Sequence, residues 1–136
     1  MSLLHFRRTF VEKLFTIHGK VERLLTESHP LGRDVRHYAD LHALAGRREV
    51  LDMLRSEEYE EIRLDYDENS RRYFEKIYRP PSGLHFRDSP ALFPDDELRA
   101  RIEPGYEEEC ARLFVRSPPP SFAEVLDRLA GMRELL

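Results

Sequence analysis

The chain has 136 residues, of which 40% are hydrophobic and 35% are charged, and its net charge is −4. This composition is typical of one globular domain with a buried core and excludes a disordered chain. The acidic balance also excludes a general electrostatic attraction to nucleic acid, so any phosphate must be bound by a local group of basic side chains.

The same features predict a cytoplasmic location without membrane contact. The single cysteine, Cys110, excludes an internal disulfide and favours a reducing compartment. No stretch reaches the roughly 20 apolar residues of a membrane-spanning helix. The first ten residues lack the long apolar segment and the small-residue cleavage site of a secretory signal.

The first third of the chain predicts three helices. Apolar residues recur at three- and four-residue steps between positions 6 and 24, as on one face of a helix: Phe6, Phe10, Leu14, Ile17, Val21 and Leu24. A second helix is predicted from Asp34 to Ala45, and its buried side is formed by Val35, Tyr38, Leu41 and Leu44 or Ala45. Gly46 ends or bends it, and Glu49 to Arg55 predicts a third, short helix.

The middle of the chain predicts a charged helical region and then a long loop. Residues 57–78 favour one or two helices with a break near Asp67–Ser70, and the apolar side is formed by Tyr59, Ile62, Tyr66, Tyr73, Phe74 and Ile77. Residues 79–94 contain four of the nine prolines, so we expect the longest loop here. Its apolar side chains are predicted to lie on the core: Leu84, Phe86, Leu92 and Phe93.

The last part of the chain predicts two more helices. One begins at Pro94–Glu97, runs to about Phe114 and is kinked or split at Pro104. A stiff spacer, residues 117–120, follows. Ser121 and Glu124 form a capping box that opens the final helix, whose buried face is Phe122, Val125, Leu126, Leu129 and Met132. Residues 1–136 are therefore predicted to form a single all-α domain, an irregular bundle of about six helices with one long proline-rich loop.

Most familiar catalytic motifs are absent from the sequence. It has no P-loop, no GxGxxG, no CxxC, no HExxH and no GxSxG. The six histidines lack the partners of a closed zinc site. The acidic run in residues 57–68 is interpreted as a solvated helix face, because a calcium loop needs a turn glycine that the run lacks. We therefore predict no metal site within the chain.

The first stretch with possible chemistry surrounds Lys13. On a helix, Lys13 shares a face with Thr9, Thr16 and Lys20, at the edge of the apolar stripe. A lysine there can reach a phosphate as a mobile point charge. The structural alternative is a lysine whose stem covers the rim of a buried face while its ammonium stays in water.

The second stretch lies on the next helix, where Arg33, Arg36, His37 and Asp40 share one side. A carboxylate held beside cationic groups suits phosphate binding, or the orientation of a hydroxyl group for attack. The structural alternative is an exposed Arg36–Asp40 pair four residues apart, which contributes roughly 0.2–0.5 kcal/mol.

Together these stretches resemble a known family. The segments RTFVEKL (8–14), RHYADL (36–41) and PPPSFAEVL (118–126) occur in the order and at the spacing of the C-terminal half of AbiEii-type nucleotidyltransferases. These DNA-polymerase-β-like enzymes are toxins of bacterial toxin–antitoxin systems. They use metal to transfer a nucleotide, in characterised members to tRNA 3′ ends. The resemblance spans about residues 7–136 and implies nucleotide binding by Lys13, Arg36 and His37. It also implies that Lys13 and Asp40 are catalytic residues and that Arg36 steadies Asp40.

The sequence also departs from the family. Members carry an N-terminal domain whose Gly-Ser loop and carboxylates hold Mg²⁺ and the nucleoside triphosphate, and nothing before Thr9 matches it. We therefore expect this chain to be a C-terminal domain without transferase activity of its own. Its implied partners are an N-terminal catalytic domain or separate subunit, an antitoxin and tRNA.

Two alternatives remain open at this point. The spacing of Arg36, His37 and His42 is also found in HEPN-like helical ribonuclease toxins, in which two copies of the motif meet across a homodimer. His42 would then act as the base and Arg36 would bind phosphate. The other alternative is a non-enzymatic helical module that binds an antitoxin, a catalytic subunit or a second copy of itself.

Overall fold

The computed structural model describes the backbone of residues 3–113 and 118–136 and the side chains of residues 6–112 and 118–136. Within these ranges the chain forms α-helices and short 3₁₀ helices and no strand, so the all-α prediction is confirmed. The six α-helices are α1 (Leu3–Glu27), α2 (Arg36–Ala45), α3 (Arg48–Leu54), α4 (Glu57–Tyr73), α5 (Asp96–Leu113) and α6 (Phe122–Ala130). No described helix combines the length and the apolar character needed to cross a membrane.

Helix α1 is the centre of the bundle, and it packs against α2, α3 and α4. The predicted apolar stripe is confirmed, because Phe10, Leu14, Ile17 and Val21 are fully buried. The two ends of the stripe, Phe6 and Leu24, are partly buried against the same core. A 25-residue helix with one buried side leaves its polar side free to carry a site.

Tyr38 anchors the buried side of α2 in the core. Its ring is fully buried, its hydroxyl donates to the Ala91 carbonyl at 2.7 Å, and it packs edge-on against Phe122 at 4.9 Å. The helix begins two residues later than predicted, because Gly32–Val35 forms a tighter 3₁₀ turn before Arg36. The opposite face of α2 is thereby fixed towards α1 and solvent.

Helix α4 differs from the prediction at its C-terminal half. The expected break at Asp67–Ser70 is absent, and one helix runs from Glu57 to Tyr73. Asp67 accepts from Arg71 Nε one turn later at 2.9 Å, and Ser70 is buried, so these residues stabilise the helix instead of ending it. Tyr73, Phe74 and Ile77, which were predicted on the apolar side, are at least half exposed.

The proline-rich loop lies on the core as predicted. Phe86 and Leu92 are fully buried, and Leu84 and Phe93 are partly buried against the core. A buried hydrogen bond of 2.6 Å between His18 Nδ1 and Ser89 Oγ fixes the loop to α1. A 3₁₀ turn at Ser82–Leu84 is the loop's regular element.

The two C-terminal helices lie where the sequence predicts them. Helix α5 runs through Pro104 without splitting, because Ala100, whose carbonyl loses its intrahelical donor, is exposed to water. The predicted helix end at Phe114 and the spacer residue Ser117 lie outside the described residues. The capping box of α6 is present, with both reciprocal hydrogen bonds between Ser121 and Glu124.

Candidate functional site

Five polar side chains meet where the polar side of α1 faces α2. We call them the α1–α2 cluster: Lys13, Lys20, Asp34, His37 and Asp40. The two lysines lie two helical turns apart on α1. The other three residues lie on α2 and on the 3₁₀ turn before it. Two lysines and two aspartates give the cluster a balanced formal charge.

Lys13 makes the shorter of the two lysine–aspartate ion pairs of the cluster. Its Nζ donates to Asp40 Oδ2 at 3.0 Å and lies 3.4 Å from His37 Nδ1. The side chain of Lys13 is 23% exposed, and that of Asp40 is 49% exposed. The ammonium group is therefore held in place but remains accessible, as a group that exchanges partners must be.

His37 lies between the two ion pairs of the cluster. Because an ammonium group only donates, Nδ1 accepts from Lys13 and the ring proton is placed on Nε2. That nitrogen is 3.6 Å from Asp34 Oδ1, and Asp34 Oδ2 is 3.6 Å from Lys20 Nζ. Burial and then Lys13 lower the pKa of His37, against Asp34 and Asp40, so the ring is neutral at neutral pH.

The structure brings together three of the four predicted site residues. Lys13, His37 and Asp40 are in contact, whereas Arg36 Nε donates to the Arg33 carbonyl at 3.2 Å. The expected Arg36–Asp40 pair is wrong, because Lys13 reaches Asp40 from the neighbouring helix. Arg36, at the first position of α2, instead satisfies a carbonyl of the preceding turn.

Sequence reasoning missed Lys20 and Asp34 as members of the site. Both had a local signal. Asp34 lies three residues before His37, and Lys20 lies seven residues after Lys13, so each shares a helix face with a predicted residue. The missing information was which face of α1 would meet α2.

The comparison with known families identifies the family of the chain. Residues 1–128 match the family model described as "Nucleotidyl transferase AbiEii toxin, Type IV TA system". The chain belongs to the AbiEii toxin family. Membership confirms the resemblance predicted from the sequence, supports a nucleotidyltransferase-like role in a toxin–antitoxin system and implies an antitoxin as partner. No curated protein and no solved structure matches the chain.

The α1–α2 cluster of this AbiEii family member does not fit Mg²⁺. Magnesium takes oxygen ligands in octahedral geometry, chiefly carboxylates, phosphates and water. Each carboxylate of the cluster already faces an ammonium group, Asp40 that of Lys13 and Asp34 that of Lys20. Across the described residues, no three His, Cys, Asp or Glu side chains are grouped so that they could hold a metal ion. The donors of the cluster suit phosphate oxygens instead.

His42, the base of the ribonuclease alternative, is directed away from the cluster. Its carbonyl accepts from Arg128 Nη1 of α6 at 2.7 Å, and its Nδ1 is 3.4 Å from the same nitrogen. No described contact within the chain joins His42 to Arg36. The alternative therefore depends on a second copy of the chain and stays a prediction.

Proposed function

We propose that the α1–α2 cluster binds the triphosphate of a nucleotide that is transferred to a tRNA acceptor. Lys13 is the phosphate-contacting residue, and Asp40 is the carboxylate that positions Lys13 and completes the catalytic group. The observation that carries this proposal is the 3.0 Å contact between Lys13 Nζ and Asp40 Oδ2 in a chain of the AbiEii family.

The geometry makes Lys13 able to exchange one anion for another. An ion pair with a half-exposed carboxylate contributes little net stability, about 0–1 kcal/mol, so its separation requires little free energy. A triphosphate carries more charge than one carboxylate and offers more acceptor oxygens to the same ammonium group. Lys20, two turns further along α1, supplies a second cation, and the neutral His37 supplies a donor at Nε2.

Release of Lys13 leaves Asp40 unpaired beside the bound phosphates. A free carboxylate at this point is able to accept the proton of an attacking hydroxyl group, as in other phosphoryl transfer sites. We assign this role to Asp40. Arg36 lies four residues before Asp40 on the same helix, and we assign it a second phosphate contact, for which its bond to the Arg33 carbonyl must separate.

Magnesium, in this proposal, is held by carboxylates of another catalytic domain or subunit. Metal ions neutralise the charge that develops on the phosphates during transfer, and the cluster does not fit the ion. We therefore expect the domain described here to bind nucleotide without transferring it. Labelled tRNA after incubation of the purified chain with Mg²⁺, each nucleoside triphosphate and tRNA would contradict this assignment.

The phosphate site is tested by binding of ATP and of inorganic tripolyphosphate, measured by calorimetry. Lys13→Gln removes one charge-assisted contact, so we expect both ligands to bind roughly tenfold more weakly or worse. Arg48→Gln also removes one positive charge, at a side chain on α3 that is 92% exposed and lies outside the cluster, and it serves as the control, with wild-type affinity expected.

Asp40→Asn should change the affinity for tripolyphosphate in the opposite direction. This change removes the anion that competes for Lys13, so tripolyphosphate should bind more tightly than to the wild-type chain. Equal affinities for wild type, Lys13→Gln and Asp40→Asn would show that the cluster is only a structural ion pair.

A further inference from the structure

A cavity of about 220 Å³ lies between α1, α4 and the turn that follows α4. Aromatic rings dominate its walls, those of Phe15, Tyr66, Phe74 and Tyr78. Clefts for whole drug-sized ligands measure roughly 300–1,000 Å³. The cavity therefore suits one flat ring system whose substituents remain outside.

The aromatic rings of the cavity are a stacked pair, a third ring beside the pair and one largely exposed ring. Phe15 and Tyr66 are stacked, with centroids 4.4 Å apart and planes at 21°, and Tyr78 lies 6.3 Å from each of them. Phe74, just after the end of α4, is 58% exposed, although it lines the same cavity. The stacked pair of Phe15 and Tyr66 gives the cavity an aromatic floor. The exposed ring of Phe74 in the same lining is a stacking surface with room for a partner.

Three cationic side chains are part of the lining of the cavity. Lys20, Arg23 and Arg79 line it, and Arg23 and Arg79 share the single carboxylate of Glu27, at 3.1 and 3.6 Å. Two guanidinium groups on one carboxylate leave a positive charge in excess at the rim. An anionic group attached to a bound ring would be attracted to this point.

The sequence around the cavity is also locally basic. Residues 71–79, RRYFEKIYR, contain four basic residues and one acidic residue, a net +3 within a chain of net charge −4. Phe74, Tyr78 and Arg79 are the aromatic and basic residues of this segment that line the cavity. Stacking rings combined with cations are the means by which proteins bind unpaired nucleobases without reading their sequence.

Lys20 connects this cavity to the α1–α2 cluster. It lines the cavity, and its Nζ lies 3.6 Å from Asp34 in the cluster. A phosphate bound at Lys20 therefore lies at the border of both sites. A ring attached to that phosphate through a sugar has the aromatic cavity beside it.

We propose that this cavity is a nucleobase-binding pocket. One base stacks on Phe74 above the floor of Phe15 and Tyr66, and its phosphates lie at Lys20, Arg23 and Arg79. The proposal rests on the proposed function, because Lys20 belongs to both sites. A free nucleoside triphosphate and the unpaired end of an RNA strand offer the same chemistry.

A tryptophan probe tests the stacking directly. The chain contains no tryptophan, so Phe74→Trp introduces a single indole into the wall of the pocket while keeping an aromatic ring there. We expect ATP, a short single-stranded RNA or both to quench its fluorescence, and tripolyphosphate to leave it unchanged. Tyr73→Trp is the matched control, because Tyr73 is similarly exposed, at 67% against 58% for Phe74, but does not line the cavity. Quenching of both variants alike, or of neither, would overturn the proposal.

Affinity measurements then separate the pocket from the phosphate site and identify the source of the base. Phe74→Ala should weaken ATP or RNA binding roughly 5- to 100-fold, the range for loss of one stacked base, and should leave tripolyphosphate binding unchanged. Tyr73→Ala should change neither. A loss confined to ATP identifies a free nucleotide, and a loss confined to RNA identifies a strand end.

Failure of the two proposals gives different results. If Lys13→Gln has no effect on tripolyphosphate while Phe74→Ala still weakens a base-containing ligand, the phosphate assignment is wrong and the pocket stands. If Phe74→Ala and Tyr73→Ala bind every base-containing probe equally well, or if the wild-type chain binds none of these probes, the pocket assignment is wrong.

Discussion

Two histidines, one on α1 and one on α2, lie in different kinds of surroundings. His18 on α1 is 4% exposed and shares a 2.6 Å hydrogen bond with the hydroxyl of Ser89. The side chain of His37 on α2 is 26% exposed and lies between Lys13 and Asp34. Burial is the largest cause of a lowered pKa in both.

The difference between them separates structure from binding. The imidazole of His18 fixes the loop through a neutral hydroxyl, and its Nε2 lies 3.8 Å from the Glu22 carboxylate. Burial nevertheless lowers its pKa, because a charge in the interior would be costly. The ring in the cluster is surrounded by charges that are a quarter to a half exposed, and such charges rearrange at little cost. The first histidine therefore maintains the fold, and the second belongs to a surface that responds to a ligand.

The largest expected effect comes from deletion of the buried ring. His18→Ala leaves a cavity between α1 and the loop and removes the hydrogen-bond partner of Ser89, so we expect a loss of roughly 3–5 kcal/mol in the free energy of unfolding. His37→Ala should lose less than about 1 kcal/mol. Urea unfolding of both variants measures the difference, and similar losses would remove the distinction drawn between the two sites.

Acid should weaken the fold through His18. Its pKa falls from 6.5 to about 4 because the ring is buried, and a hydrogen bond with the Pro80 backbone opposes the shift. The unfolded chain takes up this proton near pH 6.5 and the folded chain only near pH 4. Falling pH therefore favours unfolding across this window, by about 3 kcal/mol in total.

The contribution of His18 is isolated by comparison of variants. His18→Asn should lose this part of the pH dependence, whereas His29→Asn, at an exposed position, should retain the wild-type profile. Unfolding free energies at both ends of the window provide the measurement. An unchanged profile in His18→Asn would mean that other groups cause the acid sensitivity.

The smallest expected effect is that of Asp40→Asn. The carboxylate is 49% exposed, and its ion pair with Lys13 should contribute about 0–1 kcal/mol. We therefore expect a nearly unchanged Tm, and a coupling energy with Lys13→Gln below about 1 kcal/mol in a double-mutant cycle. A loss of several degrees would instead make Asp40 a structural residue like His18.

Much of the fold was predictable because burial leaves a periodic trace in the sequence. The stripe of α1 and the capping box of α6 are local patterns, and both are present. The break expected in α4 was wrong because the preferences of single residues do not include their contacts. Asp67, Asn69 and Ser70 disfavour helix interiors on their own, but the Arg71–Asp67 contact and the burial of Ser70 depend on neighbours that propensity does not include.

The candidate site was predictable only as two separate halves. Lys13 and Asp40 each stood out on the polar side of a helix, and their contact was not foreseen because it depends on how α1 and α2 pack. For that reason Arg36, the local neighbour, was expected to pair with Asp40. The aromatic cavity was even less predictable, because its walls come from three parts of the chain: α1, α4 and the turn after α4.

The continuity of α1 has a kinetic consequence. One unbroken helix carries Lys13 and Lys20 of the cluster and Phe15 of the cavity, so the spacing of these groups is set during folding and not during binding. A ligand that spans both sites therefore meets a preorganised surface. Substitutions at either site should therefore change the residence time of the bound ligand relative to the wild-type chain. The association rate should stay close to the wild-type value.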